Sequence, residues 1–540
     1  MKRILSLLMI LSLPLTAQEW PMDMLTKPER TSYRETSTYA EVMAVVRAVV
    51  EGSPYAHLTT MGQSADGKDM PVVVLSNPKV TTPEQALASE KPIIYVQGNI
   101  HSGEVEGKEI LQILMREILH GDHLNLLDNQ IVLFAPIYSA DSNDKLEKGR
   151  RPSQEDSPIE TGIRPNSQGW DLNRDGIKTE AAETRALFEN IILPWDPDVF
   201  VDLHTTNGVW HGYSLTWAPS YHTAGEKAPY DFTWDKLLPE VTEKVLAKDD
   251  VHLGPYGYFY PQREGWPIQS ISTYNHHPRY LVNQFGLRNR MAILSEAFAH
   301  ERLYQRMTST HAFVREILAF TNDNAQQIRA INQQAEADAI RTVKEQSGQL
   351  KKGVRFKMVA LDETIKSYRA YNYMKTKNAE GREVYLRKPE IITLKNIENK
   401  SAFEATVEAT LPRGYVIPQG QEAIVEQLKR HGVEVQTMEK RMRATGEVFV
   451  ASTLNKGRRP FEGHLMATLE GEFEAASERF QKGDYYVDLA QPLANLIFYM
   501  LEPQSDDGLV NWNFFDAWFE EQGIDNQKVQ YPIFKYFELK

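Results

Sequence analysis

The sequence predicts an α/β protein with a mixed, mostly parallel central sheet flanked by helices, followed by a smaller α+β region. Over the first 350 of the 540 residues, short β-branched apolar segments alternate with segments of helical period, which is the pattern of βαβ units. After Gly353, short strand-like segments separated by turns predominate. We therefore expect a first domain at 18–350 and an accessory region at 351–540.

Five segments of the first domain have the length and composition of buried strands. They lie at 71–75, 93–97, 131–136, 199–204 and 290–296. Segments of helical period lie at 39–50, 103–119, 180–192 and 303–346. Because strands and helices alternate, the strands should run mostly parallel with helices on both faces of the sheet.

Two long segments of the first domain are predicted to be irregular. The segment 138–175 is rich in Pro, Gly, Ser and Asn, and the segment 207–290 contains many aromatic residues without a clear period. A loop of this length in a compact domain is usually either functional or disordered. We therefore expect residues of 138–175 to contribute to a site.

The accessory region has strand candidates at 354–360, 370–374, 384–386 and 391–394, with helices at 422–430 and 492–501. It carries no catalytic signature. From its position and composition we expect it to pack on the first domain or to narrow the entrance to its site.

The composition excludes several classes of function. The formal net charge is −13 and no long basic run occurs, which argues against nucleic acid or an anionic membrane surface as the main partner. There is no cysteine, so disulfides, cysteine-ligated zinc and thiol catalysis are excluded. Any bound metal must be held by His, Asp or Glu.

The first 17 residues are predicted to be a secretory signal peptide. Lys2 and Arg3 precede an apolar stretch at 4–15, and Thr16-Ala17 supply small residues before the expected cleavage site. Ser and Pro interrupt the apolar stretch, which is too short to span a bilayer comfortably. We therefore expect a secreted or periplasmic protein without a membrane span. A buried N-terminal helix is the alternative interpretation.

Three predicted strands lead into side chains that bind metals or protons. His101 and Glu104 follow the strand at 93–97, His204 ends the strand at 199–204, and Glu296 ends the strand at 290–296. In open α/β sheets, ligands bind outside the carboxyl ends of the strands, so these side chains should converge. Two imidazoles and one carboxylate form a catalytic zinc site, and Glu296 is then a candidate general base and acid. Taken singly, each could be an ordinary residue at a strand end.

A second motif makes the chain resemble the zinc carboxypeptidase family, the carboxypeptidase A-like metallopeptidases. Its members carry a His-x-x-Glu zinc motif followed by a distant His, and an Arg nine residues before an Asn-Arg pair. The segment 164–174 reads RPNSQGWDLNR and has that spacing. Gly62, Ser64 and Gly67 match the entry into the family's first strands. The resemblance covers roughly 35–320.

The resemblance implies a zinc carboxypeptidase fold, one Zn²⁺ per chain and a peptide substrate with a free C-terminal carboxylate. His101, Glu104 and His204 would hold the zinc. Glu296 would be the general base and acid, and Arg164 would stabilise the developing oxyanion. The residues implied for binding the substrate are Asn173 and Arg174 at the carboxylate and a tyrosine, for which Tyr274 is better spaced than Tyr280.

The sequence also departs from the family pattern. Residues 139–142 read SADS where the family usually has Asn-Pro-Asp-Gly, and Asp175-Gly176 follow Arg174 where an aromatic residue is more usual. His276 and His277 are rival metal ligands, although no carboxylate lies near them in the sequence at metal-binding spacing. Two other functions stay open: a zinc amidase or deacylase acting on murein peptides or acyl-amino acids, and a non-catalytic peptide-binding protein on the same scaffold.

Overall fold

The structure of the protein is a computed structural model that describes residues 19–154, 158–221, 224–524 and 526–540. The predicted signal peptide at 1–17 lies outside the described residues. No described helix is both long enough and apolar enough to cross a bilayer.

An eight-stranded sheet organises the part of the chain before residue 350. The strands of this part are β1 (Ala56–Gln63), β2 (Asp69–Leu75), β3 (Ile93–Gly98), β4 (Ile131–Ala135), β5 (Glu147–Lys148), β6 (Glu160–Thr161), β7 (Val199–Thr205), β8 (Leu215–Pro219), β9 (Leu253–Pro255), β10 (Ser270–Ser272) and β11 (Met291–Ala297). The order across the sheet is β1-β2-β4-β3-β7-β11-β8-β9. The four central strands β4, β3, β7 and β11 run parallel, and β1, β2 and β8 pair antiparallel with their neighbours toward the centre. The predicted fold class is confirmed.

Helices cover both faces of this sheet, so the four central strands are buried at every position except Glu296. The helices are α1 (Lys27–Arg30), α2 (Tyr39–Val50), α3 (Pro83–Ala88), α4 (Glu106–His120), α5 (Ala140–Asn143), α6 (Ala182–Leu187), α7 (Leu193–Trp195), α8 (Lys227–Phe232), α9 (Leu238–Asp249), α10 (Pro261–Glu264), α11 (Leu281–Leu287), α12 (Leu303–Asp323) and α13 (Ala325–Gln346). Strands buried on both faces are continuous apolar runs rather than alternating patterns, as β3 and β4 are here.

The helix expected from residue 103 begins at Glu106 instead. Before it, the amide of Glu104 donates to the carbonyl of His101 at 2.9 Å, so 101–104 form a tight turn. Asn99, with φ of 65°, starts this turn in the left-handed region that Asn tolerates better than most residues. The turn directs His101 and Glu104 toward each other instead of along a helix face.

The chain after residue 350 is dominated by antiparallel strands. They are β12 (Lys351–Val359), β13 (Ile365–Lys377), β14 (Glu383–Lys400), β15 (Ala402–Thr410), β16 (Gly414–Ile417), β17 (Gln436–Thr437), β18 (Met442–Lys456), β19 (Ala467–Phe480), β20 (Tyr485–Asp488), β21 (Val529–Gln530) and β22 (Phe534–Leu539), with α14 (Glu422–Arg430), α15 (Ala494–Leu501) and α16 (Asp516–Glu521). β13 and β14 form one long hairpin rather than the several short strands expected. Polar residues interrupt their apolar pattern, because much of the hairpin is exposed.

The two parts of the chain share a core. The apolar cluster under the seven-stranded sheet of the C-terminal part includes Ile177, Leu287 and Val343 from the first part. The short strand β10 also pairs in parallel with the end of β14. The C-terminal part is therefore packed directly against the loops that follow the central sheet.

Candidate active site

The carboxyl ends of β3, β7 and β11 bring the predicted site residues together. These strands are adjacent and parallel, and their register pairs Glu296 with His204. His101 and Glu104 lie in the turn after β3, at the same edge of the sheet. All four line one cleft with a volume of about 380 Å³.

Three ligand atoms converge in this cleft. The Nδ1 atoms of His101 and His204 lie 3.3 Å apart, and Oε2 of Glu104 lies 3.1 Å from the first and 2.9 Å from the second. In a tetrahedral zinc site with Zn–N bonds of ~2.05 Å, neighbouring ligand atoms are ~3.3 Å apart. The side chains are only 3 % exposed, so little solvent competes for these atoms. The donor set therefore fits a zinc ion.

Two carboxylates fix the orientation of the histidines. Nε2 of His101 lies 3.0 Å from Oδ1 of Asp171, and Nε2 of His204 lies 2.8 Å from Oδ2 of Asp202. An ionised carboxylate only accepts hydrogen bonds, so each Nε2 carries the proton and each Nδ1 offers its lone pair to the cluster.

Sequence reasoning did not identify these two orienting residues. Asp171 lies inside the segment 164–174, and Asp202 lies two residues before His204, on the same side of β7. An acidic residue at the i−2 position of a candidate ligand on a strand is the signal that predicts Asp202. The orienting role of Asp171 depends on a long-range contact and had no local signal.

The electrostatics of the cluster favour a cation. Although burial alone would raise the pKa of Glu104, His101 and Arg151 hold that pKa well below its usual value. Burial likewise opposes ionisation of Asp171, but His101, Arg174 and Arg164 lower its pKa. For His204, burial is outweighed by Asp202 and Glu104, which raise its pKa well above its usual value. The cluster therefore presents buried negative charge that a divalent ion would compensate.

Glu296 differs from the other carboxylates. Burial and the charge of Glu104 raise its pKa, His204 and Arg164 lower it, and the net result is a pKa of about 8. A carboxyl group whose pKa lies near neutrality can both accept and release a proton under working conditions. A cation bound next to Glu296 would lower this pKa further toward neutrality.

Two arginines approach Glu104 from the cleft side. Arg164 donates to Asp171 Oδ2 through Nε at 3.0 Å and lies 3.5 Å from Glu104 Oε1 through Nη1, and its side chain is 41 % exposed. Arg151 was not predicted, although its Nη2 donates to the same Oε1 at 2.7 Å. Its only sequence signal is the basic pair it forms with Arg150 in the long loop.

The residues implied for binding a substrate carboxylate line the same cleft. Arg174 lies with its guanidinium 4.5 Å from the ring centre of Tyr280. Asn173 Oδ1 accepts from the amide of Leu281 at 3.1 Å, which fixes this side chain. The Tyr274 hydroxyl donates to the carbonyl of Pro219 at 3.4 Å. Tyr280, the less well spaced of the two predicted tyrosines, is therefore the one that contacts Arg174.

The C-terminal part reaches the site through one loop. Oε2 of Glu462 accepts from the amide of Asp171 at 2.9 Å. The next residue, Gly463, has φ of 81°, and a Cβ there would lie 2.7 Å from the ring of Trp170. His276 and His277 do not line the cleft; they lie beside the C-terminal part.

Comparisons with known proteins agree with this geometry. Residues 42–245 match the family model described as zinc carboxypeptidase. Carboxypeptidase 2 of Trichophyton tonsurans is 21 % identical over 496 residues, which covers 88 % of this chain and 81 % of the relative. Carboxypeptidase D of Mus musculus is 28 % identical over 171 residues, or 27 % of this chain and 12 % of the relative.

Solved structures give weaker similarity. A metallo-carboxypeptidase from Burkholderia cenocepacia is 15 % identical in sequence and has a TM-score of 0.38. The match covers 52 % of this chain and 69 % of the Burkholderia chain. A metallo-carboxypeptidase from Pseudomonas aeruginosa, in complex with (2-guanidinoethylmercapto)succinic acid, is 14 % identical with coverages of 53 % and 69 % and a TM-score of 0.38. The range 42–245, which matches the zinc carboxypeptidase model, contains His101, Glu104 and His204, so this part of the chain is similar to the zinc carboxypeptidase family.

Proposed function

We propose that the protein is a zinc-dependent carboxypeptidase that hydrolyses the last peptide bond of substrates with a free C-terminal carboxylate. The observation that carries the proposal is the convergence of His101, Glu104 and His204 in a cleft that Glu296 and Arg174 also line. The family match supports the reaction class.

The metal would be held by the Nδ1 atoms of His101 and His204 and by Glu104. When bound there, Zn²⁺ would polarise the scissile carbonyl and increase the acidity of a water molecule. Asp171 and Asp202 keep the two imidazoles in the tautomer that this binding needs.

The acid–base chemistry is assigned to Glu296. Its carboxylate takes the proton of the attacking water as the C–O bond forms, and gives a proton to the nitrogen of the amine as the C–N bond breaks. Arg164 carries a positive charge that is partly exposed to the cleft, where it can stabilise the negative charge that develops on the carbonyl oxygen.

The free carboxylate of the substrate is assigned to Arg174 and Asn173. A guanidinium binds a carboxylate through two parallel hydrogen bonds, which fixes both its position and its orientation. Tyr280 supports the guanidinium through its ring. Tyr274 packs edge-on against Tyr280, with ring centres 5.3 Å apart, and completes this wall.

A pair of matched peptides tests the proposal. The purified protein, loaded with zinc, is incubated with a peptide and with its C-terminally amidated form, and products are identified by mass spectrometry. We expect single residues to be released from the free peptide and a rate at least ~10-fold lower on the amide, because Arg174 loses its ionic partner. Equal rates on both would contradict carboxypeptidase action and favour a zinc amidase. No hydrolysis by a protein that binds zinc would favour the non-catalytic alternative.

We also propose that the protein is exported. The support is the sequence pattern at 1–17, a charged start followed by an apolar stretch. N-terminal sequencing of protein secreted by an expressing cell should begin at Gln18. A mature protein that keeps Met1 would contradict export through this segment.

A further inference from the structure

Two neighbouring histidines outside the cleft meet a carboxylate from the far end of the chain. His276 and His277 lie in the loop between β10 and α11, and Asp506 lies after α15. Each of the three side chains offers one ligand atom, and these atoms lie within 4.8 Å of one another. The carboxylate that the sequence around the histidines lacks is thus supplied by a residue 230 positions later.

Several hydrogen bonds and ring contacts hold Asp506 and His276 in place. Nε2 of His276 lies 3.2 Å from the Asp506 carboxylate, and the amide of Phe356 donates to Oδ2 at 2.9 Å. The Tyr499 hydroxyl donates to Oδ1. The ring of His276, which is 2 % exposed, packs between Phe356 and Phe403 at centre distances of 4.9 and 5.0 Å. These contacts hold His276 and Asp506 in fixed positions.

An ion pair between His276 and Asp506 does not account for His277. The Nδ1 atom of His277 is buried and has no hydrogen-bond partner among the described residues. Burying a nitrogen without a partner is costly, so such atoms usually mark a bound ion or water.

The charges around the cluster allow a cation. Arg279 lies two residues after His277, but its Nη2 and Nε lie 2.6 and 2.8 Å from Oδ1 of Asp507, which compensates its charge. Asp506 therefore places its negative charge beside the two imidazoles. Its side chain is 19 % exposed, which gives an ion a path from solvent.

We propose that His276, His277 and Asp506 form a second zinc site, separate from the one in the cleft. Two imidazole nitrogens and one carboxylate oxygen are a donor set that suits Zn²⁺, with water completing the tetrahedron. The site would tie the loop that carries Tyr274 and Tyr280 to the C-terminal part. Its role is structural, because it fixes the position of the loop whose tyrosines line the cleft.

Zinc stoichiometry in single-site variants tests the proposal. The full chain is stripped with a chelator, reloaded with zinc alone, desalted and analysed for metal per protein. We expect two zinc ions in the wild type, one in Glu104→Gln, which loses the cleft site, and one in His277→Gln, which loses the second. His252→Gln, which removes a histidine outside both clusters, should keep two.

The outcomes separate this proposal from the proposed function. If the wild type binds one zinc ion and His277→Gln still binds one, the second site is overturned and the cleft site is unaffected. If the wild type binds one zinc ion, and this ion is kept in Glu104→Gln but lost in His277→Gln, the result supports the second site and contradicts the cleft site. Because Asp506 is part of the interior, Asp506→Asn is measured with a circular dichroism spectrum. A folded Asp506→Asn variant that still binds two ions also overturns the proposal.

A readout of stability complements the stoichiometry. In Glu104→Gln, added zinc should raise the melting temperature, because an ion that binds only the folded state stabilises it. In the double variant Glu104→Gln/His277→Gln, zinc should leave the melting temperature unchanged. An equal increase in both variants would mean that zinc binds elsewhere.

Discussion

Each histidine of the cleft can serve as a ligand only in one tautomer, and a single neighbouring residue selects it. Asp202 accepts from Nε2 of His204 at 2.8 Å, and Asp171 accepts from Nε2 of His101 at 3.0 Å. With Nε2 protonated, Nδ1 must carry the lone pair. The metal binding that we propose for this site therefore depends on residues that are not themselves proposed ligands.

Asp202→Asn should weaken zinc binding while the fold is kept. An amide can turn its NH₂ group toward the imidazole and stabilise the wrong tautomer, and loss of such an orienting carboxylate typically lowers metal affinity ~10–100-fold. Competition with a coloured chelator measures this affinity. Asp122→Asn, a change at a side chain that is 95 % exposed, is the control and should bind zinc as the wild type does. Unchanged affinity in Asp202→Asn would show that the orienting contact is unimportant.

Glu296→Gln should bind zinc normally and lose ~10²–10⁴-fold in kcat, since the amide neither takes nor delivers a proton. The measurement is peptide hydrolysis beside zinc content. Glu264→Gln, on the surface helix α10, is the matched control and should keep full activity. If Glu296→Gln keeps its turnover, another residue is the base.

At the scale of elements, a loop after β18 determines the position of a segment that belongs to the cleft. Glu462 accepts from the amide of Asp171, and Gly463 lies against Trp170 in a conformation that favours glycine. The segment 164–174 has little regular structure of its own, with only a 3₁₀ turn at Leu172–Arg174. The loop therefore supplies rigidity that the segment lacks.

Glu462→Ala should reduce both zinc affinity and kcat/KM by roughly 10-fold, because a hydrogen bond to a charged group contributes ~1.5–3 kcal/mol. Glu462→Gln keeps an acceptor oxygen and should recover most of the loss. Glu474→Ala, at an exposed position of β19, is the control. The idea fails if Glu462→Ala matches the control in both measurements.

On the scale of the whole molecule, the two parts of the chain are joined by buried polar groups as well as by a shared apolar core. His431, at the end of α14, is fully buried, and its Nε2 lies 2.9 Å from the carbonyl of Ile177. Arg288 donates to the carbonyl of His431 at 2.9 Å from the other side. A charged imidazole is poorly tolerated there, and burial lowers the pKa of His431 to about 3.

Acid should therefore loosen this interface. An unfolded histidine has a pKa of about 6.5, so between pH 6.5 and 3 the unfolded chain binds a proton that the folded chain does not. The contribution of His431 to the free energy of unfolding is complete above pH 6.5 and decreases as the pH falls. At pH 5 this contribution is ~2 kcal/mol smaller than above pH 6.5. Urea unfolding at pH 7 and pH 5 measures the loss.

The variant His431→Gln keeps a hydrogen-bond donor and cannot titrate. Between pH 7 and pH 5, the free energy of unfolding of this variant should decrease by ~2 kcal/mol less than that of the wild type. His123→Gln, at a partly exposed position, should leave the pH dependence unchanged. Identical pH dependence in His431→Gln and the wild type would mean that another group controls acid stability.

The central strands and the residues that follow them could be predicted from the sequence. Continuous apolar runs identify β3, β4, β7 and β11, because strands buried on both faces have no polar alternation. His101, His204 and Glu296 could be predicted to converge, because the carboxyl ends of parallel strands lie at one edge of a sheet. The segment 164–174 was recognisable through its resemblance to a motif of the zinc carboxypeptidase family.

The residues that orient and support this site could not be predicted, because they come together only in the folded chain. Asp171, Arg151 and Glu462 reach it across loops, and Asp506 reaches His276 from the other end of the chain. Such contacts depend on how the two parts of the chain pack, and packing leaves no periodic pattern in the sequence. Local sequence patterns therefore predicted the proposed metal ligands, and long-range packing determined the residues that hold them in place.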